Sequence, residues 1–341
     1  MFNITTSYAG EVHGRILTQL LADSSMVSGG HVYVKGGIID KYHIPQMDLS
    51  NVIQKVKAEL DIQTDPVGEA TFKEQTLEPE ELMVFLKYNP RDFESYWRQY
   101  QPEGRLLFKS LPAEIQSLLV QKIMNQVGYQ MNYLLLNGDK ADSVSTNEGM
   151  KVDFFDGFLT RIKANVTTGQ KTAIAIPGTG ASTGADTSLS ASPITQATVL
   201  DALQTVKEAI FANKFTRIKY AKPGFKYFAS PLTVELWKQY QRDALYKGVD
   251  LTQSGVALFD GKPLVAMESF PENAVMATVA TSDERSNLWA GTNDKRDDES
   301  ITSDRTAPYN ETYFMKMLFN MGTAIPYSNE VVYYDSELTI S

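Results

Sequence analysis

An α+β fold is what this sequence of 341 residues predicts, and three observations predict it. One amphipathic segment is far longer than an ordinary domain helix. A middle region sets two further amphipathic segments beside short apolar strands. The chain then closes on a long alternating strand and a second one after it, an order that a doubly wound parallel sheet does not give. A chain of this length holds one large or two ordinary domains and can bury a substantial core.

The first forty-odd residues show no sustained period and carry the pairs Gly29-Gly30 and Gly36-Gly37. They read as an extended arm with a short apolar helix around Gly14 to Leu21. Lys41 to Leu49 mixes apolar and polar residues at strand spacing, and Glu69 to Leu77 follows Pro66 and Gly68 as a second extended run. Together Lys41 to Tyr88 reads as a long two-stranded excursion, and an isolated hairpin buries too little to be stable in water.

Leu111 to Asn137 carries Ile115, Leu119, Ile123, Val127, Met131 and Leu135 at every fourth position, widened by Leu118, Met124 and Leu134. Ser110 can cap it, Pro112 suits the first turn, Glu114 faces the positive end, and Asn137-Gly138 offers a left-handed stop. The spacing predicts a helix of about 25 residues, roughly 38 Å long at 1.5 Å per residue. That is more than twice the usual length, so it reads as a strut.

Beyond it, Gly138 to Asp153 is a polar turn region, and Phe154-Phe155-Asp156-Gly157-Phe158-Leu159 resumes an apolar path. Thr167 to Pro193, rich in Gly, Ser, Thr and Ala, reads as a loop. Thr195 opens a second helix through Val199, Leu203, Val206 and Ile210. Ser230-Pro231 opens a third through Leu232, Leu236, Tyr240 and Ala244, closed at Gly248. Phe225 to Ala229 reads as a buried strand, Asp260-Gly261 as the turn of a hairpin, and Ala274 to Ala280 as another strand. Ser282 to Ala307 is charged and loop-like, with a short strand at Leu288-Trp289-Ala290. Tyr313, Met315, Met317, Phe319 and Met321 share one face of the long closing strand, Gly322 to Pro326 bends it back, and Val331 to Tyr334 pairs with it or continues it.

Composition excludes more than it identifies. Hydrophobic residues are 43% and charged residues 21% of the chain, an ordinary globular balance. No run of eighteen apolar residues suggests a membrane span. The N-terminus shows no basic start or signal-length apolar run, so a cytosolic birthplace is expected. The absence of cysteine removes disulfides, thiolate metal sites and a thiol nucleophile. A net charge of −9, with no basic run read in the sequence, argues against general tight binding of nucleic acid.

Catalytic patterns are few. Gly180-Ala181-Ser182-Thr183-Gly184 satisfies the nucleophile-elbow pattern and makes Ser182 the candidate for a soluble serine hydrolase, the reading from another class. All three histidines (His13, His31 and His43) precede Ser182, so the base is missing from the required order, and no good helix follows it. Gly178, Gly180 and Gly184 miss the dinucleotide fingerprint. The histidines share no metal-ligand spacing. Asp294, Asp297, Asp298 and Glu299 interleave with Lys295 and Arg296 and read as a solvated loop, and Glu78, Glu80 and Glu81 as exposed charge. Tyr313, Phe314 and Phe319 sit in a strand without flanking Arg or Lys in number and read as core or subunit contact rather than a base-stacking platform. The expectation is a chain with no catalytic residue, no cofactor and no metal.

Three passages carry a resemblance. Asn137-Gly138-Asp139 followed by Asp156-Gly157-Phe158-Leu159 resembles the passage after the spine helix of tailed-bacteriophage major capsid proteins, the Hong Kong 97 fold. Phe259-Asp260-Gly261-Lys262-Pro263-Leu264-Val265 resembles a hairpin of that family's A domain, and Gly322-Thr323-Ala324-Ile325-Pro326 the turn of its closing strand. The order of elements resembles the family over nearly the whole chain. Within it, the Gly- and Tyr-rich arm and E-loop are similar to those of phages of gut Bacteroidetes.

The resemblance implies an N-terminal arm at 1–40, an E-loop at 41–89, a P domain at 90–194 with its spine helix at 112–137, an A domain at 195–290, and a return to the P domain at 291–341. It further implies a non-enzymatic subunit that self-assembles into the hexamers and pentamers of an icosahedral head around double-stranded DNA. The subunit would be made in the host bacterial cytoplasm and end in the virion. Implied partners are other copies, a separate scaffolding protein, portal and decoration proteins, and packaged DNA touched weakly on the inner face, with no membrane. An encapsulin-like compartment shell stays open, since it shares the fold. An arm and E-loop that bury little within their own subunit would place Ile44, Met47, Leu49, Phe72 and Leu77 on neighbouring copies.

Overall fold

The predicted strut forms at full length: the helix runs from Ala113 to Asn137, 25 residues. The computed structural model describes residues 6–8, 25–50, 53, 55–56, 69–88, 113–142, 146–147, 150–167, 173–176, 180–182, 194–243, 257–293, 301–305 and 312–336. The expected helix at 14–21, the acidic stretch 294–299 and most of 167–193 lie outside them.

In chain order, β1 (Thr6–Tyr8), α1 (Ser25–Ser28) and β2 (Tyr33–Lys35) come first. β3 (Tyr42–Ser50), β4 (Glu69–Leu77) and β5 (Glu80–Tyr88) precede the long helix α2 (Ala113–Asn137). A small pair, β6 (Thr146–Asn147) and β7 (Met150–Lys151), leads to α3 (Phe158–Thr167), β8 (Ala173–Ile176) and β9 (Gly180–Ser182). Then come α4 (Val199–Ala212), α5 (Lys214–Tyr220), β10 (Phe225–Ala229) and α6 (Pro231–Asp243). The strands β11 (Ala257–Phe259), β12 (Lys262–Ala266), β13 (Ala274–Val279), β14 (Trp289–Gly291), β15 (Ile301–Arg305), β16 (Tyr313–Ala324) and β17 (Val332–Asp335) complete the chain.

Two sheets organise these elements. One follows the order β1-β15-β16-β14-β2, with β5 also paired to β16; the other runs β11-β12-β10-β13-β17-β8-β9. In the second sheet strand alternation sends side chains into two different cores. Tyr227, Val275, Ala277, Val332 and Tyr334 pack with Leu203, Val206 and Ile210 of α4 on one face. Phe228, Met276 and Tyr333 point the other way, into a core shared with Met131 and Leu135 of α2 and with Met315, Met317 and Phe319 of β16. The sheet is thus buried on both faces. Full burial of a side chain such as Leu135 contributes about 1.5–3 kcal/mol.

Several expectations meet a different outcome. Lys41 to Tyr88 is not one excursion: β3 and β4 form the ribbon, whereas β5 leaves it and pairs along β16 from Glu80 to Tyr88. The stretch 282–307 contains β14 as expected and also β15, which pairs with β16. The chain does not fold back at 322–326 onto the closing strand. β16 continues through Gly322 to Ala324, and β17 enters the other sheet between β13 and β8. Gly322 serves a close crossing, since a Cβ there would stand 2.5 Å from the Glu78 carbonyl oxygen. β8, β9 and β17 share a sheet with β10 to β13, so the boundaries at 194 and 291 separate strands that hydrogen-bond together. In α6 the buried face is Thr233, Val234 and Trp237, with Leu232 exposed. Trp237 fixes this rotation by donating to the Leu258 carbonyl at 3.1 Å.

Buried polar side chains clip the layers together. Asn287, almost fully buried, donates to the Tyr327 carbonyl at 2.7 Å and accepts from the Tyr327 N–H at 2.8 Å. Asn287→Ala orphans both groups and is expected to cost about 1–3 kcal/mol, read as a lower urea midpoint at unchanged slope. Asn132 of α2 is likewise buried, accepting from the Ser25 hydroxyl at 3.2 Å and donating to the Ser269 hydroxyl at 3.4 Å.

His31 anchors the segment before β2. Its ring meets Phe228 edge-on at 5.4 Å, and Nδ1 lies 2.9 Å from Lys226 Nζ. Burial first, and the Lys226 charge second, push its pKa down to about 4. An unfolded histidine titrates near 6.5, so between those values the unfolded chain binds the extra proton and stability falls as the pH drops. His31→Gln is expected to remove that part of the acid loss, measured as the difference in melting temperature between about pH 7 and pH 4.5.

Candidate assembly surface

β3 and β4 are nine residues each and pair over their whole length, from Tyr42↔Leu77 to Ser50↔Glu69, a ribbon about 30 Å long at 3.3–3.4 Å per residue. They form a two-stranded sheet of their own. The root is built into the body. Ile44 and Leu77, on one face of the ribbon, join Ile38, Trp289 and Ala324 in a small separate core. Tyr33 and Tyr42 pack on the Trp289 ring at 4.7 and 6.3 Å. A Lys41–Glu78 ion pair of 3.0 Å ties the two strand roots, and a Lys140–Glu80 ion pair ties the start of β5 to the end of α2. Ile44 and Leu77, expected on neighbouring copies, are therefore covered by their own chain, because the ribbon stands on Trp289 of β14 and Ala324 of β16.

The opposite face of the ribbon is different. Met47 and Phe72 oppose one another in register and are 53% and 74% exposed. His43 and Glu74 lie on the same face, 3.5 Å apart. Leu49 pairs with Ala70 in the backbone register, and its side chain lies outside the described residues. Farther out, Ile53 and Val56 are almost wholly exposed. Cross-strand apolar pairs hold a sheet together when something covers them, and among the described residues nothing in the chain covers this one.

A second uncovered apolar surface lies on the sheet of β16. β5 directs Leu82 into the main core and Met83 and Phe85 outward, 58% and 57% exposed. Phe85 lies 5.9 Å from the Phe314 ring, and Lys87 and Lys316 flank the patch by register. The sequence reading missed this patch. Glu81 to Tyr88 is apolar at both parities from Leu82 to Leu86, so no alternation marked which residues faced out. The surviving signal was the length of the run, which suits a strand inside a larger sheet.

Of the hydrolase candidate, Gly180 to Ser182 forms a strand paired antiparallel with β8, Ser182 opposite Ile174; the residues that an elbow would need after Ser182 lie outside the described ones. Among the described residues no three acidic or histidine side chains gather as metal ligands, and no helix is long and apolar enough to cross a membrane.

No family model matches the sequence, and no curated protein matches it. Solved structures do match the fold. The satellite phage P4 procapsid, whose structure includes the size determination protein, superposes with a TM-score of 0.55 at 11% identity, covering 94% of this chain and 98% of that one. The capsid of an empty GTA particle gives 0.53 at 13% identity over 92% and 90%, and that of the native GTA particle 0.52 at 13% over 92% and 90%. Identity this low speaks to architecture alone, and the coverage is nearly complete on both sides: the chain has the Hong Kong 97-like capsid fold of tailed phages.

Proposed function

We propose that this protein is the major shell subunit of a tailed-phage head, assembling through hexamers and pentamers around double-stranded DNA. One observation carries the reading: a ribbon rooted in its own subunit presents Met47 and Phe72 exposed on the face opposite its buried root. Exposed apolar surface of this kind marks an interaction site, and in a chain with a capsid fold other copies are the partners in supply. Residues 1–40 would be the arm and 41–77 the E-loop. The P domain would hold α2 with the sheet of β16, and the A domain the seven-stranded sheet with its three helices. Each subunit would touch several neighbours, so modest pairwise contacts add up to a durable shell. Scaffolding, portal and decoration proteins would be separate chains.

Electron microscopy of the purified protein tests this directly, with closed particles as the expected result. A compact monomer at every concentration would overturn it. An encapsulin-like compartment has the same fold, and particle contents separate the two: a co-purifying enzyme cargo identifies the compartment, packaged double-stranded DNA the phage head.

A further inference from the structure

Near one end of the seven-stranded sheet stand exposed cations, and near the other exposed carboxylates, that have no ion-pair partner among the described residues. At one end stands α5, between the last turn of α4 and the start of β10. From Ala209 to Ala229 the sequence holds five basic residues (Lys214, Arg217, Lys219, Lys222 and Lys226) and no acidic one, within a chain of net charge −9. The acidic balance of the whole chain masks this basic run. Lys219 is paired with Glu330 at 3.1 Å, and Lys226 turns inward to His31. Lys214, Arg217 and Lys222 are exposed, and among the described residues no carboxylate pairs with them. Phe215 and Ile218 are exposed between them, three positions apart and so on one side of the helix.

The other end of β10 lies about 13 Å along the strand, at 3.3 Å per residue. Here the Met267 N–H donates to the Ala229 carbonyl at 2.9 Å, and the Thr233 hydroxyl to the Glu272 carbonyl at 2.7 Å. The Ile194 N–H donates to Asn273 Oδ1 at 3.1 Å, which brings the first turn of α4 to the same end. Asp201, Glu268 and Glu272 are exposed there, and none has a cationic partner among the described residues. Leu232 is exposed beside them. Of the two cations on α6, Arg242 is held by Glu235 at 2.9 Å and Lys238 is half-buried.

We propose that copies of this chain meet head to tail through these ends, with the Lys214, Arg217 and Lys222 edge of one against Asp201, Glu268 and Glu272 of the next. The inference rests on the shell reading and assigns it one specific contact. A contact between unlike patches repeats in the same sense around a ring, as a closed capsomer requires. Phe215 and Ile218 on one side and Leu232 on the other would supply the apolar centre, and the charges around it would fix partner and register. A phosphate backbone satisfies the cations but leaves Phe215 and Ile218 uncovered, which favours a protein partner over nucleic acid.

Two double variants test it, Lys214→Glu with Arg217→Glu and Glu268→Lys with Glu272→Lys. Each is expected to fold, by circular dichroism, yet to need at least a tenfold higher protein concentration to associate at low salt. The first is acidic at both ends and the second basic at both, so mixing them is expected to restore association, as is combining all four substitutions in one chain. Sedimentation of the mixture reads association rather than closure, so it answers even if the wild-type protein forms no closed particles, an outcome that counts against the shell reading alone. The inference is overturned if both double variants associate like the wild type, or if mixing restores nothing. It is equally overturned if the Lys214 and Arg217 variant assembles normally but loses nucleic acid from its particles, which would make α5 a nucleic-acid contact.

Discussion

Gly138→Ala, and separately Gly157→Ala, are expected to destabilise the fold by about 3 kcal/mol, the upper end of the overpacking range, because the structure they meet cannot yield. The two glycines face one another where α2 hands over to α3. A Cβ on Gly138 would stand 2.3 Å from the Phe155 carbonyl oxygen, and one on Gly157 would stand 2.6 Å from the Leu136 carbonyl oxygen. The obstacles are backbone atoms, so no rotamer change relieves them. The junction is also fixed by hydrogen bonds: Gly157 N–H donates to the Gly138 carbonyl at 2.8 Å, Thr160 Oγ1 donates to the same carbonyl at 2.6 Å, and Asp139 N–H donates to the Val152 carbonyl at 2.9 Å. Any shift that admits a methyl group stretches these contacts and tilts α3 away from the core that Phe158 and Ile162 fill. Gly261→Ala is the control. It sits at φ +73° in an exposed turn with nothing within 4 Å of a Cβ, so it carries only the left-handed backbone cost of about 1 kcal/mol. Urea midpoints of the three variants check the order. Equal midpoints for Gly138→Ala and Gly261→Ala would show that the junction opens without resistance.

That junction also shows how far the sequence could be read. Asn137-Gly138 marked the end of α2 correctly, but for another reason: Gly138 is not in the left-handed region, and it is glycine because another stretch of backbone crosses it. Spacing rules describe one segment at a time and carry no information about such crossings. The same limit explains β17. Val331 to Tyr334 is apolar throughout, as a strand buried on both faces must be, and nothing in that run says which sheet receives it. β15, with sequence Ile301-Thr302-Ser303-Asp304-Arg305, is polar enough to read as loop and becomes a strand because β16 offers it a partner. Elements that bury one face on a local core were legible: α4 through Val199, Leu203, Val206 and Ile210, and the Asp260-Gly261 hairpin, whose two turn residues both take positive φ. The assembly surface was half legible. Period-2 patterning placed Met47 and Phe72 on the ribbon but could not reveal that Ile44 and Leu77, on its other face, rest on Trp289.

This division of the ribbon decides how its function can be tested. Deleting residues 41–89 would remove β5 from the sheet of β16 and Ile44 and Leu77 from their core, so the loss of particles would report misfolding. Met47→Ser combined with Phe72→Ser touches only side chains that no described part of the subunit covers. The double variant is expected to keep the wild-type melting temperature within a few degrees and to lose assembly. Withholding two large apolar side chains from an interface costs about 3–6 kcal/mol per contact, and every 1.4 kcal/mol is tenfold in affinity, so particle formation should need at least a hundredfold more protein. Ile44→Ser gives the opposite pattern, a clear fall in melting temperature from a polar group placed in the Trp289 core. The measurement is a pair of readings for each variant, thermal unfolding and the concentration at which particles appear by light scattering. If the Met47 and Phe72 variant assembles at wild-type concentration while Ile44→Ser unfolds early, the ribbon's outer face is not an intersubunit contact, and the shell must be held together by other surfaces.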